Sequence, residues 1–271
     1  MLFSVLLFHV FVAATAFAVP SSRERHAQRL ARRAAGTHLS HPNQVISGPV
    51  AIPNGKNATQ AIFSSNWAGA VLISDSVNTF TSVTGTFIVP IPREPSGGSG
   101  FHSASAWVGI DGDTCQTAIL QTGIDMSVDG DDISYDAWYE WFPDFAFDFT
   151  GIDIHLGDTI TTTVVATSLT SGTATIINHS TDQEVSHTFS LQPPLCQENA
   201  EWIVEDFQED GELVPLANWG TVTFTDASAG TPEGSFGPGP SGNIINMEQD
   251  GNALTYVTVL DSTVIVAYTG P

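Results

Sequence analysis

The sequence predicts an all-β fold, an antiparallel sandwich or barrel, and three observations carry that expectation. Runs rich in Val, Ile, Thr and aromatics recur from Trp67 onward with Gly, Asn and Asp between them. No long stretch repeats its apolar residues at the helical period. The part of the chain after Lys56, about 215 residues, holds all six tryptophans and is long enough for one domain with a full core.

The N-terminus reads differently. Residues 2–18 are an apolar run closing on Ala16-Phe17-Ala18, a small-x-small site, and the run is too short to span a bilayer comfortably. We read residues 1–18 as a signal peptide, although the basic residues that usually precede such a run are missing. Five of the seven Lys and Arg residues follow it (Arg23, Arg25, Arg29, Arg32, Arg33), so residues 19–60 read as a basic pro-segment and 61–271 as the functional domain. The mature product is expected to be soluble, secreted and monomeric.

Residues 57–271 carry 28 acidic side chains against the single base Arg93, a formal charge of −27. A cationic leader would lie against such a domain near neutral pH and lose its hold as the carboxylates protonate. Having few Lys or Arg, the domain has few salt bridges to lose in acid, so the composition suits an acidic medium. The same charge disfavours nucleic acid and anionic membranes.

The predicted strands follow in order: Trp67 to Ile73, Thr79 to Val89, Ala104 to Val108, Thr117 to Thr122, Tyr135 to Phe142, Thr159 to Thr167, Thr173 to Asn178 and Glu184 to Ser190. The series continues with Glu201 to Val204, Thr221 to Thr225, Tyr256 to Val259 and Thr263 to Tyr268. Ser228 to Asn243, SAGTPEGSFGPGPSGN, reads as a Gly/Pro/Ser loop. Sequons at Asn57 and Asn178 are candidate N-glycosylation sites.

The densest chemistry lies in Trp107 to Asp125, WVGIDGDTCQTAILQTGID. Strand alternation places Thr117, Ile119 and Gln121 on one side, and on spacing alone Gln121 is a strand-end amide beside a Thr-Gly turn. EWIVEDF alternates likewise, with Glu201, Ile203, Glu205 and Phe207 on one face. Two cysteines in a secreted chain are most simply one disulfide, and a Cys115–Cys196 pair would bring these two strands together. In YDAWYEWF, Asp136, Trp138, Glu140 and Phe142 share a face on which two carboxyls flank an indole.

WVGIDGDTCQTAILQTG, YDAWYEWFP (Tyr135 to Pro143) and NAEWIVEDF (Asn199 to Phe207) together resemble the glutamic peptidases, or eqolisins, secreted acid endopeptidases found mainly in fungi. SSNWAGAVL (Ser64 to Leu72) is similar to the start of their mature chain. The resemblance implies an antiparallel β-sandwich of two large bent sheets, of the concanavalin-like kind, with a disulfide at Cys115 and Cys196. It places the catalytic dyad on Gln121 and Glu205. It implies that Trp138, with Asp136 and Glu140 as supporting acids, lines the substrate cleft; Trp107, Asp111 and Asp125 are further cleft candidates.

A Gln/Glu pair suits hydrolysis in acid. The carboxylate takes a proton from the attacking water and returns it to the leaving nitrogen, while the amide stabilises the oxyanion without titrating. No metal or cofactor is needed, and inhibition by pepstatin is not expected. The partners implied are protein or peptide substrates and the chain's own pro-segment as inhibitor. The chain lacks Gly-x-Ser-x-Gly, His-Glu-x-x-His and Asp-Thr/Ser-Gly motifs. Asp125-x-Ser127-x-Asp129-Gly130 has the opening of a calcium loop, but its twelfth position is Asp136, and a hairpin turn explains it better. The alternative from another class is a carbohydrate-active or carbohydrate-binding sandwich, with Trp107 and Trp138 stacking on sugars and Glu140 with Glu205 as the carboxylate pair.

Overall fold

In the computed structural model the described residues are 38–47, 62–239 and 241–271. They form twenty strands and no helix. The strands are β1 (His38–Leu39), β2 (Ile62–Ser64), β3 (Trp67–Ile73), β4 (Ser82–Ile88), β5 (Phe101–Ile110), β6 (Ile119–Asp129) and β7 (Asp132–Phe142). Next come β8 (Phe147–Asp148), β9 (Thr159–Ser168), β10 (Ser171–Asn178), β11 (Gln183–Phe189), β12 (Asn199–Glu205), β13 (Gln208–Glu209) and β14 (Glu212–Leu213). The chain ends with β15 (Thr221–Thr231), β16 (Gly234–Phe236), β17 (Asn243–Gln249), β18 (Asn252–Ala253), β19 (Thr255–Leu260) and β20 (Thr263–Tyr268).

Two large sheets result. One runs β11-β10-β9-β4-β15-β20-β19, the other β18-β17-β3-β12-β5-β6-β7-β8, and all pairs are antiparallel except β2, which runs parallel to β17. The core lies between them, where alternate residues of both sheets meet: Ala106 and Val108 of β5, Leu120 and Ile124 of β6, Trp202 and Val204 of β12 against Phe87, Ile160, Val164, Phe224 and Val266. The predicted sandwich is therefore the observed architecture.

Three expectations change. Gln121 is not at a strand end, because β6 runs on through Gly123 to Asp129, and the strand continues where a turn was expected. Gly123 has a structural reason inside a strand, since a Cβ there would lie 2.5 Å from Cβ of Trp107. The Ser228–Asn243 stretch is not wholly a loop: β15 extends to Thr231 and pairs with β16, and β17 opens at Asn243 against β3. The disulfide brings the Gln121 and Glu205 strands near one another but not into contact, because β5 lies between β6 and β12. The Asp125–Gly130 stretch, as expected, is a strand and its hairpin turn, with Gly130 at φ 66°.

The outer face of the β3-β12-β5-β6-β7 sheet is buried too. A second apolar cluster of Trp67, Val71, Trp107, Ile119, Trp138 and Ile203 lies there. Strands β5, β6 and β12 are consequently covered on both faces.

Candidate active site

Register places the outward-facing side chains in three rows across five strands. The first is Val71, Glu201, Gly109, Gln121 and Glu140; the second is Gly69, Ile203, Trp107, Gly123 and Trp138; the third is Trp67, Glu205, Ser105, Asp125 and Asp136. Nearly every sequence-predicted functional residue is on this grid. Glycines at its centre make room: a Cβ on Gly109 would meet the Trp107 ring at 2.8 Å, Glu201 Oε1 at 3.0 Å and Gln121 Cβ at 3.3 Å.

The six tryptophans, all buried, divide by face. Trp141, Trp202 and Trp219 donate their indole N–H groups to backbone carbonyls of Pro193, Thr84 and Val266. The three on the grid donate into the site: Trp107 Nε1 to Glu205 Oε2 at 2.9 Å, Trp138 Nε1 to Ser105 Oγ at 3.2 Å and Trp67 Nε1 to the carbonyl of His41 at 2.9 Å. Trp107 thus holds one carboxylate oxygen of Glu205 and fixes its rotamer.

Gln121 is fixed by Glu140, whose Oε1 accepts from Gln121 Nε2 at 3.1 Å. That bond decides which end of the amide is nitrogen. It leaves Gln121 Oε1 buried with no hydrogen-bond partner among the described residues. Glu140 is fully buried, and burial holds its carboxyl well above the usual range, with Glu205 nearby adding to the effect and N–H donors from Ser40 and Gln121 opposing it. Burial likewise pushes Glu205 up to about 8, against the hydrogen bonds from His41 N–H and the Trp107 indole.

Residues 38–47 cross this grid. The amide N–H of Ser40 donates to Glu140 Oε2 at 3.1 Å and that of His41 to Glu205 Oε1 at 3.0 Å. Two carboxyls from rows four residues apart thus reach consecutive amides of one peptide. His38 is buried with its Nε2 3.7 Å from Asp125 Oδ2, and its ring meets Phe207 and Trp138 edge-on at 4.2 and 5.7 Å.

The remaining predicted residues separate into site and scaffold. Asp125 and Asp136 are cross-strand partners, Asp125 buried and Asp136 half-buried. Asp111 does not face the cleft; its carboxylate accepts from the backbone N–H groups of Cys196, Gln197, Glu198 and Asn199 at 2.8 to 3.2 Å. It anchors the turn that the disulfide closes, and its positive φ of 72° follows from that position. Cys115 and Cys196 are bonded, with Cα atoms 6.2 Å apart. Asn178 is buried, its amide donating to Asp153 O and Asp158 Oδ2 at 2.8 Å each, so this side chain has no free N–H to carry a glycan. Asn57 lies outside the described residues.

Sequence reasoning missed Asn66, Ser105 and Phe207 as cleft residues, and Glu201 and Asp206 as buried acids. Asn66 Nδ2 donates to the carbonyl of His41 at 3.2 Å, and its Oδ1 accepts from Gln44 N–H. Both oxygens of the buried Glu201 have no hydrogen-bond partner among the described residues, and burial beside Asp111 and Asp113 raises its carboxyl well above the usual range. Asp206 Oδ2 accepts from Gln249 Nε2 at 2.6 Å, and burial pushes Asp206 up to about 8. Strand alternation had marked Glu201 and Phe207, but Asp206 takes its partner from β17, a strand the sequence did not disclose.

Residues 65–268 match the model of the peptidase A4 family. The chain belongs to that family. It is a glutamic-type acid endopeptidase, a hydrolase of peptide bonds. The peptidase is 45% identical to aspergillopepsin-2 of Aspergillus niger over 286 residues, covering 99% of this chain and 100% of that one. It is 47% identical to scytalidopepsin B of Scytalidium lignicola over 228 residues, covering 80% and 79% of the two chains. Among solved structures, scytalido-glutamic peptidase with a transition state analog inhibitor superposes with a TM-score of 0.69 at 43% identity, covering 76% of this peptidase and 98% of that chain. The carbohydrate-active alternative falls with the family assignment.

Proposed function

We propose that Glu205 and Gln121 form the catalytic dyad of this peptidase, which cleaves proteins in an acidic, extracellular setting and is insensitive to pepstatin. The observation that carries the assignment is that Glu205 and Glu140, the latter bonded to Gln121, receive consecutive amide N–H groups of one peptide in the cleft. In the reaction, Glu205 takes a proton from water as the oxygen attacks the carbonyl carbon, then gives it to the departing nitrogen. Gln121 Oε1 accepts from that water, and the amide N–H not held by Glu140 faces the developing oxyanion. Trp107 stabilises the charged form of Glu205, and Glu140 acts on the reaction through Gln121, whose amide it holds.

Residues 19–60 act in this reading as an inhibitory pro-segment after removal of a signal peptide at 1–18. While residues 38–47 cover the dyad, burial holds Glu205 in its acid form, and a protonated carboxyl cannot serve as base. Departure of the segment wets Glu205 and returns it toward the ordinary carboxyl range, so one event uncovers the cleft and creates the base. The experiment is digestion of a denatured protein by the mature enzyme across acid to neutral pH with pepstatin present, beside Glu205→Gln and Gln121→Ala. Acid-confined, pepstatin-resistant cleavage lost in both variants is the expected result. Full activity in Gln121→Ala overturns the dyad.

A further inference from the structure

Buried polar atoms normally have partners, and an orphan persists only where something offsets its cost. Two side chains in the first row of the grid carry such orphans among the described residues: both carboxyl oxygens of Glu201, and Oε1 of Gln121. Both residues are fully buried. Gln121 belongs to the dyad, whereas Glu201 has no part in the chemistry assigned to it.

Register explains how the two come to face one another. Glu201 of β12 lies opposite Gly109 of β5, and Gly109 opposite Gln121 of β6, so the residue between them has no side chain. A Cβ placed on Gly109 would lie 3.0 Å from Glu201 Oε1, 3.3 Å from Gln121 Cβ and 2.8 Å from the Trp107 ring. The Glu201 carboxyl thus leans over β5 toward Gln121. On the other side of Gln121, Glu140 of β7 accepts from Nε2 at 3.1 Å, so the oxygen is the end of the amide left for a donor.

What a carboxyl can offer there depends on its proton. A carboxylate only accepts, and would repel an amide oxygen; a neutral carboxyl has one O–H to give. In an acid medium the surroundings of Glu201 favour the neutral form. Burial raises its carboxyl well above the usual range, Asp111 and Asp113 add to the effect, and no hydrogen bond among the described residues opposes it. The other titratable groups of the grid, Glu140, Glu205, Asp125 and Asp136, are acids too, and the imidazole of His38 sits two rows away beside Asp125. Among the described residues no cation acts on Glu201.

We infer that Glu201 donates its carboxyl O–H to Oε1 of Gln121 across the hollow that Gly109 leaves, and so is a positioning residue for the dyad, an inference that rests on the Gln121/Glu205 assignment. Two acids then hold one amide, Glu140 by its nitrogen and Glu201 by its oxygen, and the amide can neither swing nor turn over. The second lone pair of Oε1 stays available to the attacking water. Glu201 transfers no proton in the reaction; it acts through Gln121. The same arrangement gives Gly109 its place, because a side chain there would stand between donor and acceptor.

The test has two arms. In the first, the mature enzyme carrying Glu205→Gln is labelled with carboxyl-carbon-13 glutamate and titrated by NMR, the Glu201 signal being the one that Glu201→Gln removes. Gln121→Met keeps the volume and removes the acceptor, so the neutral form loses its bond and Glu201 should give up its proton at lower pH. A Glu201 titration that Gln121→Met leaves in place overturns the inference, and this arm decides the matter should Glu201→Met not fold. In the second arm, Glu201→Met keeps volume and removes the donor, while Glu201→Gln keeps an N–H to donate. The Met variant should show a kcat about 10-fold lower, the worth of one hydrogen bond, with KM and Tm not worsened, and the Gln variant should recover most of that loss. A Met variant with the kcat of the wild type, or a Gln variant that loses as much as Met, overturns the inference. If Glu201→Met is fully active while Gln121→Ala is dead, the inference fails and the dyad stands. If Gln121→Ala is fully active, the dyad assignment falls and the inference falls with it.

Discussion

Asp206→Asn is expected to stabilise the mature peptidase near neutral pH and to change little in acid. Asp206 is buried, keeps one hydrogen bond from Gln249 and is pushed up to about 8. In the unfolded chain an aspartate titrates near roughly 3.9. The folded state therefore holds this proton more tightly, and stability falls as pH rises wherever the folded state binds more protons than the unfolded one. The contribution is whole below about pH 4, declines as pH rises, and is lost by about pH 8. Between about pH 4 and 7 the loss is roughly three units at 1.36 kcal/mol each, about 4 kcal/mol. Asparagine retains an oxygen for Gln249 and carries no titrating proton. The assay is urea unfolding of the mature chain in acid and near neutrality, in a Glu205→Gln background that prevents self-digestion. The variant should gain up to about 4 kcal/mol over its parent near pH 7 and stay within about 1 kcal/mol of it near pH 3. An equal difference at both pH values would refute the burial argument for this group.

Trp107→Phe removes the donor to Glu205 Oε2; about 2 kcal/mol for a hydrogen bond to a charged group predicts a kcat roughly 30-fold lower with KM little changed. Losing that donor also raises the Glu205 pKa, so the acid limb of the kcat profile should move to higher pH. Gly109→Ala forces a methyl against the Trp107 ring and Glu201, and should cost about 1–3 kcal/mol in unfolding free energy with a disproportionate loss of kcat. Asp111→Ala orphans four backbone N–H groups and should cost about 3 kcal/mol or more, read as a lowered Tm. Reduction of Cys115–Cys196, which spans 81 residues, should cost about 4.5 kcal/mol in denaturant unfolding on the chain-entropy account.

The sandwich was legible because its strands alternate, and alternation is a local property. The predicted run Thr263 to Tyr268 coincides with β20 and Trp67 to Ile73 with β3. β6 was cut short because Thr122-Gly123 reads as a turn, whereas Gly123 is there to admit Trp107 from the neighbouring strand, a contact no local pattern encodes. The partnership of Gln121 with Glu140 follows from the β6–β7 register, and motif spacing put both on one face. Asp111 shows the opposite limit: its sequence position suggests the cleft, but the strand ends there and its carboxylate turns to the 196–199 backbone. The crossing of the cleft by residues 38–47 depends on contacts a hundred or more positions apart, such as Ser40 with Glu140 and His41 with Glu205.

Because β5, β6 and β12 are covered on both sides, their side chains serve two masters in strict alternation. Ala104, Ala106, Val108 and Ile110 belong to folding, while Ser105, Trp107 and Gly109 between them belong to chemistry. A substitution scan along these strands should therefore print two interleaved phenotypes, insoluble protein at one position and soluble, inactive protein at the next. The sheet thus separates, residue by residue, positions whose loss is read in folding from positions whose loss is read in turnover.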